Sequence, residues 1–397
     1  GSLESVCSQS WPLPIVVDLR ALSVPARVGT VRDALRTRPG VAVLARAHGD
    51  GLEALLVGAT ADLRGFVLGR LEGGGARADL ASDTEFVLAC EVGSGFEADW
   101  ARAVLASRLM PCEAGQGAGV GVYLSLDPDS AVPVCRVLES DEARRLEPST
   151  VIGPFGRRSA AEAFGRFLDD RFELCREPGL LAHRPGATAC SYKDMGKCPA
   201  PCDGSEPMRV YTERVREALS FARRPIGEAI DAARAGIREA TAALEYERAG
   251  RLRDELLWLE SVHGPAFAWV TTMDRFGVLA VLPSGRAGWA RLIMHRGGVT
   301  RHAFDIDARR AAGVLAEVWD LVISTSPDTR RTITRDSASI AGAVCRHLFS
   351  TRNTRSAFLR LDPAIDRSDV LRAIRRAARV ELGGRGSSKR AKKGNEA

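Results

Sequence analysis

Four cysteines carry the clearest chemical signal in the chain. Cys175, Cys190, Cys198 and Cys202 are separated by fourteen, seven and three residues in a segment rich in Gly, Pro and polar residues. Soft thiolates bind zinc or iron-sulfur clusters, and flexible loops between them let four sulfurs converge on one centre. Cys198-Pro199-Ala200-Pro201-Cys202 puts two candidate ligands on one short, stiff loop. The alternative is four small side chains buried like hydrophobes, but the segment offers few apolar neighbours around which to build such a core. The spacing predicts a metal and leaves zinc and iron with sulfide both open. Cys7, Cys90, Cys112, Cys135 and Cys345 are scattered and read as structural.

Periodicity names the elements that must position this loop. A strand-like run, Pro14 to Leu19, precedes a helix expected around Thr30 to Arg36 and stopped by Pro39-Gly40. Val41 to Arg46 and Leu52 to Val57 flank His48-Gly49-Asp50-Gly51, whose Asp-Gly pair predicts a β-hairpin. Helices are expected at Asp62 to Arg70 and Glu97 to Leu109. After the Gly-rich run Gly115 to Gly121, strands are expected at Val122 to Leu126 and Pro133 to Leu138. Ala160, Phe164, Phe167 and Leu168 predict a helix, Ser159 to Phe172, just before the cysteine loop. Beyond it, Ile226, Ile230, Ala233, Ile237, Ala240 and Leu244, then Leu252, Leu256 and Leu259, form two helical stripes broken near Glu245 to Arg248, an antiparallel hairpin. Strands at Phe267 to Thr271, Gly277 to Leu282, Ala290 to Met294 and Ser356 to Leu361, with helices at Ala308 to Leu321 and Ser337 to Leu348, describe a second α/β domain.

The chain of 397 residues and 42.6 kDa predicts two or three domains. At 45% hydrophobic and 27% charged it excludes general disorder. No apolar run approaches about eighteen residues and Gly1 to Ser10 has no basic or apolar leader pattern, so a membrane span or secretion signal is not expected. Gly1 and Ser2 read as the remnant of a cleaved tag. The odd, low cysteine count suits a reducing, cytoplasmic setting. The formal charge is +6, and the stretch from Asp369 onward, with nine basic and three acidic side chains, accounts for all of it. Arg372, Arg375, Arg376 and Arg379 recur along one helical face and suit phosphate neutralisation without base readout; a solvated terminus is the alternative. Arg157 and Arg158 are further candidate DNA contacts, with Arg330, Arg331 and Arg335 of lower weight.

Ile152-Gly153-Pro154-Phe155 with Arg157 and Arg158, and the cysteine loop ending Lys197-Cys198-Pro199-Ala200-Pro201-Cys202-Asp203-Gly204, resemble the UvrC excinuclease family. Ala243-Leu244-Glu245-Tyr246-Glu247-Arg248-Ala249-Gly250-Arg251-Leu252-Arg253-Asp254 resembles the UVR motif, through which UvrC-type proteins and UvrB pair by helical hairpins. The likeness covers roughly Pro39 to Glu260. It implies a four-iron four-sulfur cluster on the cysteines in preference to zinc, DNA and UvrB or a UvrB-like protein as partners, and Leu244, Tyr246, Leu252, Arg253 and Asp254 as partner contacts.

UvrC proteins begin with a GIY-YIG nuclease domain, whose chemistry needs a carboxylate-held metal, an arginine at the phosphate and a group to activate water. Here Pro39-Gly40-Val41-Ala42 and Leu56-Val57-Gly58 occupy the two signature strands, so both tyrosines are absent. In that register the arginine position falls on Phe66 and the metal-binding glutamate position on Arg102, which would repel a cation. No catalytic residue is assigned. Arg64, Glu97 and Asp99 lie close enough in sequence to serve a displaced centre. In the C-terminal domain Asp305, Asp307, Asp320, His295, His302 and His347 form no recognisable nuclease pattern, and the helix-hairpin-helix reader of the family is not evident.

The expected fold is α/β (α+β). Its parts are an N-terminal extension (1–36), a degenerate GIY-YIG-like α/β domain (37–112), a linker with the cysteine-cluster loop (113–204), the UVR helical hairpin (205–262), a second α/β domain (263–362) and a basic helix and tail (363–397). The function expected is a nuclease-inactive UvrC-like repair adaptor. The rivals are a divergent endonuclease using Arg64, Glu97 and Asp99, and a redox or iron sensor gating DNA affinity.

Overall fold

The computed structural model describes residues 13–72, 80–110, 121–143, 145–296, 299–323, 335–349, 356–362 and 365–379. Within them, three antiparallel four-stranded sheets are joined by shared helices, in agreement with the mixed α/β class. The first sheet comes from β1 (Ile15–Asp18), β2 (Gly40–His48), β3 (Gly51–Thr60) and β4 (Phe86–Glu91), ordered β1-β4-β2-β3. Helix α1 (Val24–Ala34) precedes β2, α2 (Leu63–Leu71) follows β3 and α3 (Gly95–Leu109) follows β4. Helix α1 starts well before Thr30, because Pro25 in its first turn is preset for helix entry.

The hairpin forms where expected, but its tip is Gly49-Asp50 rather than Asp50-Gly51. His48 pairs with Gly51, and Gly49 at φ +55° holds the first central position, as a type II′ turn requires. Strand β2 is buried without a break from Gly40 to Ala45 because both its faces are covered. Val41, Val43 and Ala45 meet α3 on one side, and Ala42 and Leu44 meet α1 and α2 on the other.

The second sheet combines β5 (Val122–Ser125), β6 (Arg136–Glu139), β7 (Val151–Phe155) and β8 (Thr271–Thr272), ordered β6-β5-β7-β8. Between them lie α4 (Ser140–Ala143), α5 (Arg158–Arg171), α6 (Pro178–Ala182), α7 (Ser191–Asp194), α8 (Met208–Ala222), α9 (Ile226–Ala242) and α10 (Tyr246–Ser261). Helix α5 buries Ala160, Phe164 and Leu168, and α8 buries Tyr211, Val215, Ala218 and Ala222, positions three to four apart that build one stripe. Ile226, Ile230 and Ala233 of α9 and Leu259 of α10 complete the same core, so the hairpin's base is fixed to the sheet. The alternation from Phe267 to Thr271 produces turns that feed the two-residue β8.

The third sheet holds β9 (Gly277–Pro283), β10 (Trp289–Arg296), β11 (Val299–Asp307) and, after α11 (Ala311–Ile323) and α12 (Arg335–Leu348), β12 (Ala357–Arg360), ordered β11-β10-β9-β12. Edge strand β11 has no apolar run to announce it, since Thr300, Arg301, His302, Asp305 and Asp307 interleave its apolar residues. Helix α13 (Arg367–Ala378) buries Val370, Ala373, Ile374 and Ala377 in the core of this sheet. Among the described residues no helix is long and apolar enough to cross a membrane.

Helix α3 ties the sheets together. Ala101, Leu105 and Ala106 pack on the first sheet, while Phe96 and Ala103 join Tyr123, Val151, Phe276, Val278 and Ile293 from the other two. Its N-terminus adds an ionic link: the carboxylate of Glu97, 1% exposed, accepts from the Gly93 amide at 3.0 Å and pairs with Arg291 of β10. Gly93 is required there, because a Cβ would sit 2.2 Å from the carbonyl oxygen of Pro283 in β9. Removing one partner of a buried pair leaves the other charge uncompensated, so Arg291→Ala is expected to destabilise the protein by about 3 kcal/mol. Urea unfolding that moves by less than about 1 kcal/mol would show the link to be dispensable.

Candidate metal centre and interaction surfaces

The loop between α5 and α8 brings the cysteines toward one region. Cys175, Cys198 and Cys202 are buried and Cys190 is partly exposed. Cys175 and Cys198 share a thiol-thiol hydrogen bond, which with the Ala200 backbone and the nearby Arg176 charge favours the Cys198 thiolate against the opposing effect of burial. Burial pushes the Cys202 thiol up. Among the described residues no three His, Cys, Asp or Glu side chains stand in ligand positions around a common point. The donor chemistry fits a soft metal, while the arrangement is a bonded thiol pair with two thiols beside it.

Residues that the cysteine spacing does not reveal hold the loop. Tyr211, fully buried on α8, donates to the carbonyl of Pro133 at 2.9 Å and accepts from the Cys175 amide at 3.1 Å. Arg176 pairs with Asp170 at 2.7 Å, donates to the Lys197 carbonyl at 3.2 Å and covers the ring of Tyr192. Lys193 bonds Asp203 and Ser205, both at 2.6 Å. A tyrosine inside an apolar helical stripe is the one trace of this scaffold in the sequence.

The hairpin projects an exposed tip, with every residue from Thr241 to Arg248 exposed. Leu244 and Tyr246 are 68% and 67% exposed, and Arg253 and Asp254 are exposed on α10. Leu252 is placed differently: its side chain packs over Gly236 of α9, inside the seam. Leu257, 68% exposed on α10, adds an apolar surface position that the motif alone does not single out. Leu244 has φ +62°, and the amides of Leu244 and Glu245 bond the carbonyls of Thr241 and Ala240, a Schellman turn with leucine where glycine is usual.

The groups available for a displaced nuclease centre are not brought together. Arg64 donates to the Leu35 carbonyl at 2.6 Å, Glu97 is held by Arg291, and Asp99 pairs with His347 at 2.8 Å and Arg346 at 3.3 Å, both on α12. Ala42, Leu56 and Phe66 share one apolar cluster, and a Cβ on Gly58 would meet the Phe66 ring at 2.0 Å. The basic candidates lie on surfaces. Arg157 and Arg158 flank the start of α5, with Arg158 paired to Glu162, and Arg372, Arg375, Arg376 and Arg379 occupy the exposed side of α13, Arg372 pairing with Asp369. Most of the Gly115 to Gly121 run, Arg330, Arg331, Asp320's neighbours beyond Ile323, and the basic tail beyond Arg379 lie outside the described residues.

Comparison with known proteins falls on this region. Residues 122–221, from β5 through α8, match the model of the UvrC/Cho excinuclease middle domain. The chain is UvrC-like. It is 28% identical over 331 residues to UvrABC system protein C of Halobacterium salinarum, covering 76% of this chain and 51% of that protein. The corresponding protein of Desulforudis audaxviator is 28% identical over 206 residues, 48% of this chain and 33% of the relative, and that of Thermus thermophilus is 29% identical over 133 residues, 34% and 21%. The UvrC-like chain thus spans about a third to a half of the first two relatives. No solved structure matches it significantly.

Two consequences are measurable. Tyr211→Phe strands the Cys175 amide and the Pro133 carbonyl, which is expected to cost about 1–3 kcal/mol in denaturant unfolding; an unchanged midpoint would remove Tyr211 from the scaffold. For Asp99, burial raises the carboxyl, but the His347 hydrogen bond and Arg346 charge outweigh it and hold the group below the ordinary aspartate value. A depressed carboxylate stabilises the fold above its unfolded pKa, and that contribution is lost as pH falls through the folded value. Asp99→Asn should therefore flatten the loss of stability below about pH 4, seen as convergence with the parent protein in acid.

Proposed function

We infer that this UvrC-like protein is a non-incising component of DNA repair complexes, which binds DNA and docks on UvrB or a UvrB-like protein through its helical hairpin. The observation that carries the reading is the combination of a UvrC/Cho-type middle domain with an apolar floor of Ala42, Leu56 and Phe66 where nuclease groups are expected. Glu97 and Asp99, the acids available for a displaced centre, are committed to ion pairs with β10 and α12, which supports loss of the first nuclease centre.

Cys175, Cys190, Cys198 and Cys202 would hold a four-iron four-sulfur cluster, with zinc the alternative. A bound cluster supplies a rigid cross-link and a redox-active centre. The chain's own residues set the loop's path: Tyr211 fixes the Cys175 backbone, and Arg176 carries positive charge toward Cys198. At the hairpin, Leu244 and Tyr246 present apolar surface flanked by charged residues, the composition suited to a complementary amphipathic hairpin.

The test uses anaerobically purified protein on end-labelled duplexes, with magnesium or manganese and with UvrA and UvrB. Expected is no incision, together with a UvrB-dependent gel shift that Tyr246→Asp abolishes; metal-dependent cutting sensitive to Glu97→Ala overturns the non-incising reading. Purified protein should carry iron and absorb near about 400 nm, and Cys198→Ser should remove both signals. Stoichiometric zinc without iron would assign the alternative metal. Leu244→Gly relieves a left-handed leucine and is expected to stabilise by about 1 kcal/mol while weakening UvrB capture. Unchanged capture would place the docking surface elsewhere.

A further inference from the structure

A cavity of about 580 Å³ opens where the second and third sheets meet, away from the cysteine loop. Five arginines line it: Arg223 and Arg224 from the α8–α9 junction, Arg275 from the turn before β9, Arg296 from the end of β10 and Arg360 from the end of β12. They come from four separate places in the sequence, so no basic run announces the site.

Three carboxylates also line the cavity, Glu228, Asp274 and Asp362, and they do not neutralise it. Asp274 pairs with Arg223 at 3.2 Å. Arg360 is only partly exposed. Its guanidinium donates to the Ala268 carbonyl at 2.7 Å; burial disfavours its charge, and the nearby Asp362 and Glu228 carboxylates offset part of that effect. Arg224 and Arg275 are exposed and make no side-chain hydrogen bond or ion pair with the described residues. In the wall, Arg223 Nε is buried with no hydrogen-bond partner among the described residues. Guanidinium groups gathered around a concave, partly desolvated space, those of Arg224 and Arg275 with their donors unspent among the described residues, are matched by an oxyanion that accepts two N–H bonds from each fork. The volume lies in the range of roughly 300–1,000 Å³ typical of small-molecule sites, larger than one inorganic phosphate needs.

We propose that this cavity seats a phosphate group of a DNA strand, with Arg224 and Arg275 making direct contacts and Arg360 supplying charge from the floor. The inference rests on the DNA-binding part of the proposed function and gives it a location distinct from the α13 arginines. A phosphate held there bridges the α8–α9 junction and the turn before β9.

The experiment measures anisotropy of a short fluorescein-labelled duplex across a salt series, with thymidine monophosphate binding measured separately by calorimetry. Arg224→Glu with Arg275→Glu should weaken duplex binding about tenfold, and the neutral double alanine variant should reduce the slope of log affinity against log salt by about two. Arg224→Lys with Arg275→Lys should retain most of the affinity. Both positions are exposed, and an unchanged melting curve confirms that the variants fold. Unchanged duplex affinity and slope in the glutamate variant, with binding lost instead in Arg375→Glu with Arg376→Glu, overturns the cavity while leaving DNA binding intact. No duplex binding by the parent, but monophosphate binding that the glutamate variant loses, supports a phosphate site and removes the DNA reading. If neither probe binds the parent protein, the cavity proposal fails.

Discussion

The burial of α3 on both faces is the constraint from which the rest of the architecture follows. An amphipathic helix satisfies one core, whereas α3 serves the first sheet through Ala101 and Leu105 and the other two through Phe96 and Ala103. Its N-terminus then carries Glu97 into an interior where an unpaired carboxylate would be costly, and Arg291 of the third sheet supplies the counter-charge. The same guanidinium bonds Asp305 of β11 at 2.8 Å, so one side chain links α3, β10 and the sheet edge. The close approach that Gly93 permits to Pro283 is part of the same contact.

That constraint also bears on chemistry. Acids that could serve metal-dependent hydrolysis must project, unpaired, into a shared cleft. Glu97 and Asp99 instead face β10 and α12, respectively, and Ala42, Leu56 and Phe66 share an apolar cluster. Their ion pairs hold the domains together, a use that competes directly with holding a cation. The cysteine loop is organised on a separate principle. Tyr211 of α8 anchors it from outside through the Cys175 amide, and Arg176 and Lys193 brace it from within through the Lys197 carbonyl and Asp203.

Where local pattern dominates, element identity follows from it. The β2–β3 hairpin, α2 with its Asp62 cap, α5, the α9–α10 pair and α13 all arise from periodicity, turn residues and capping within a dozen or so neighbours. The misplacements have local causes as well: Pro25 moves the start of α1 forward, Gly49 shifts the turn by one residue, and β11 hides behind polar residues because an edge strand needs little apolar surface.

The sequence by itself determined the mixed class, the cysteine loop and the hairpin, since each depends on residue type and short-range spacing. Tertiary structure decided which charges are spent. It paired Glu97 with Arg291 across 194 residues and Asp99 with His347 across 248, turned Leu252 inward while leaving Tyr246 exposed, and gathered five arginines from four segments around one cavity. No local pattern encodes these outcomes, because burial and charge pairing depend on which distant surfaces the packed sheets bring into contact.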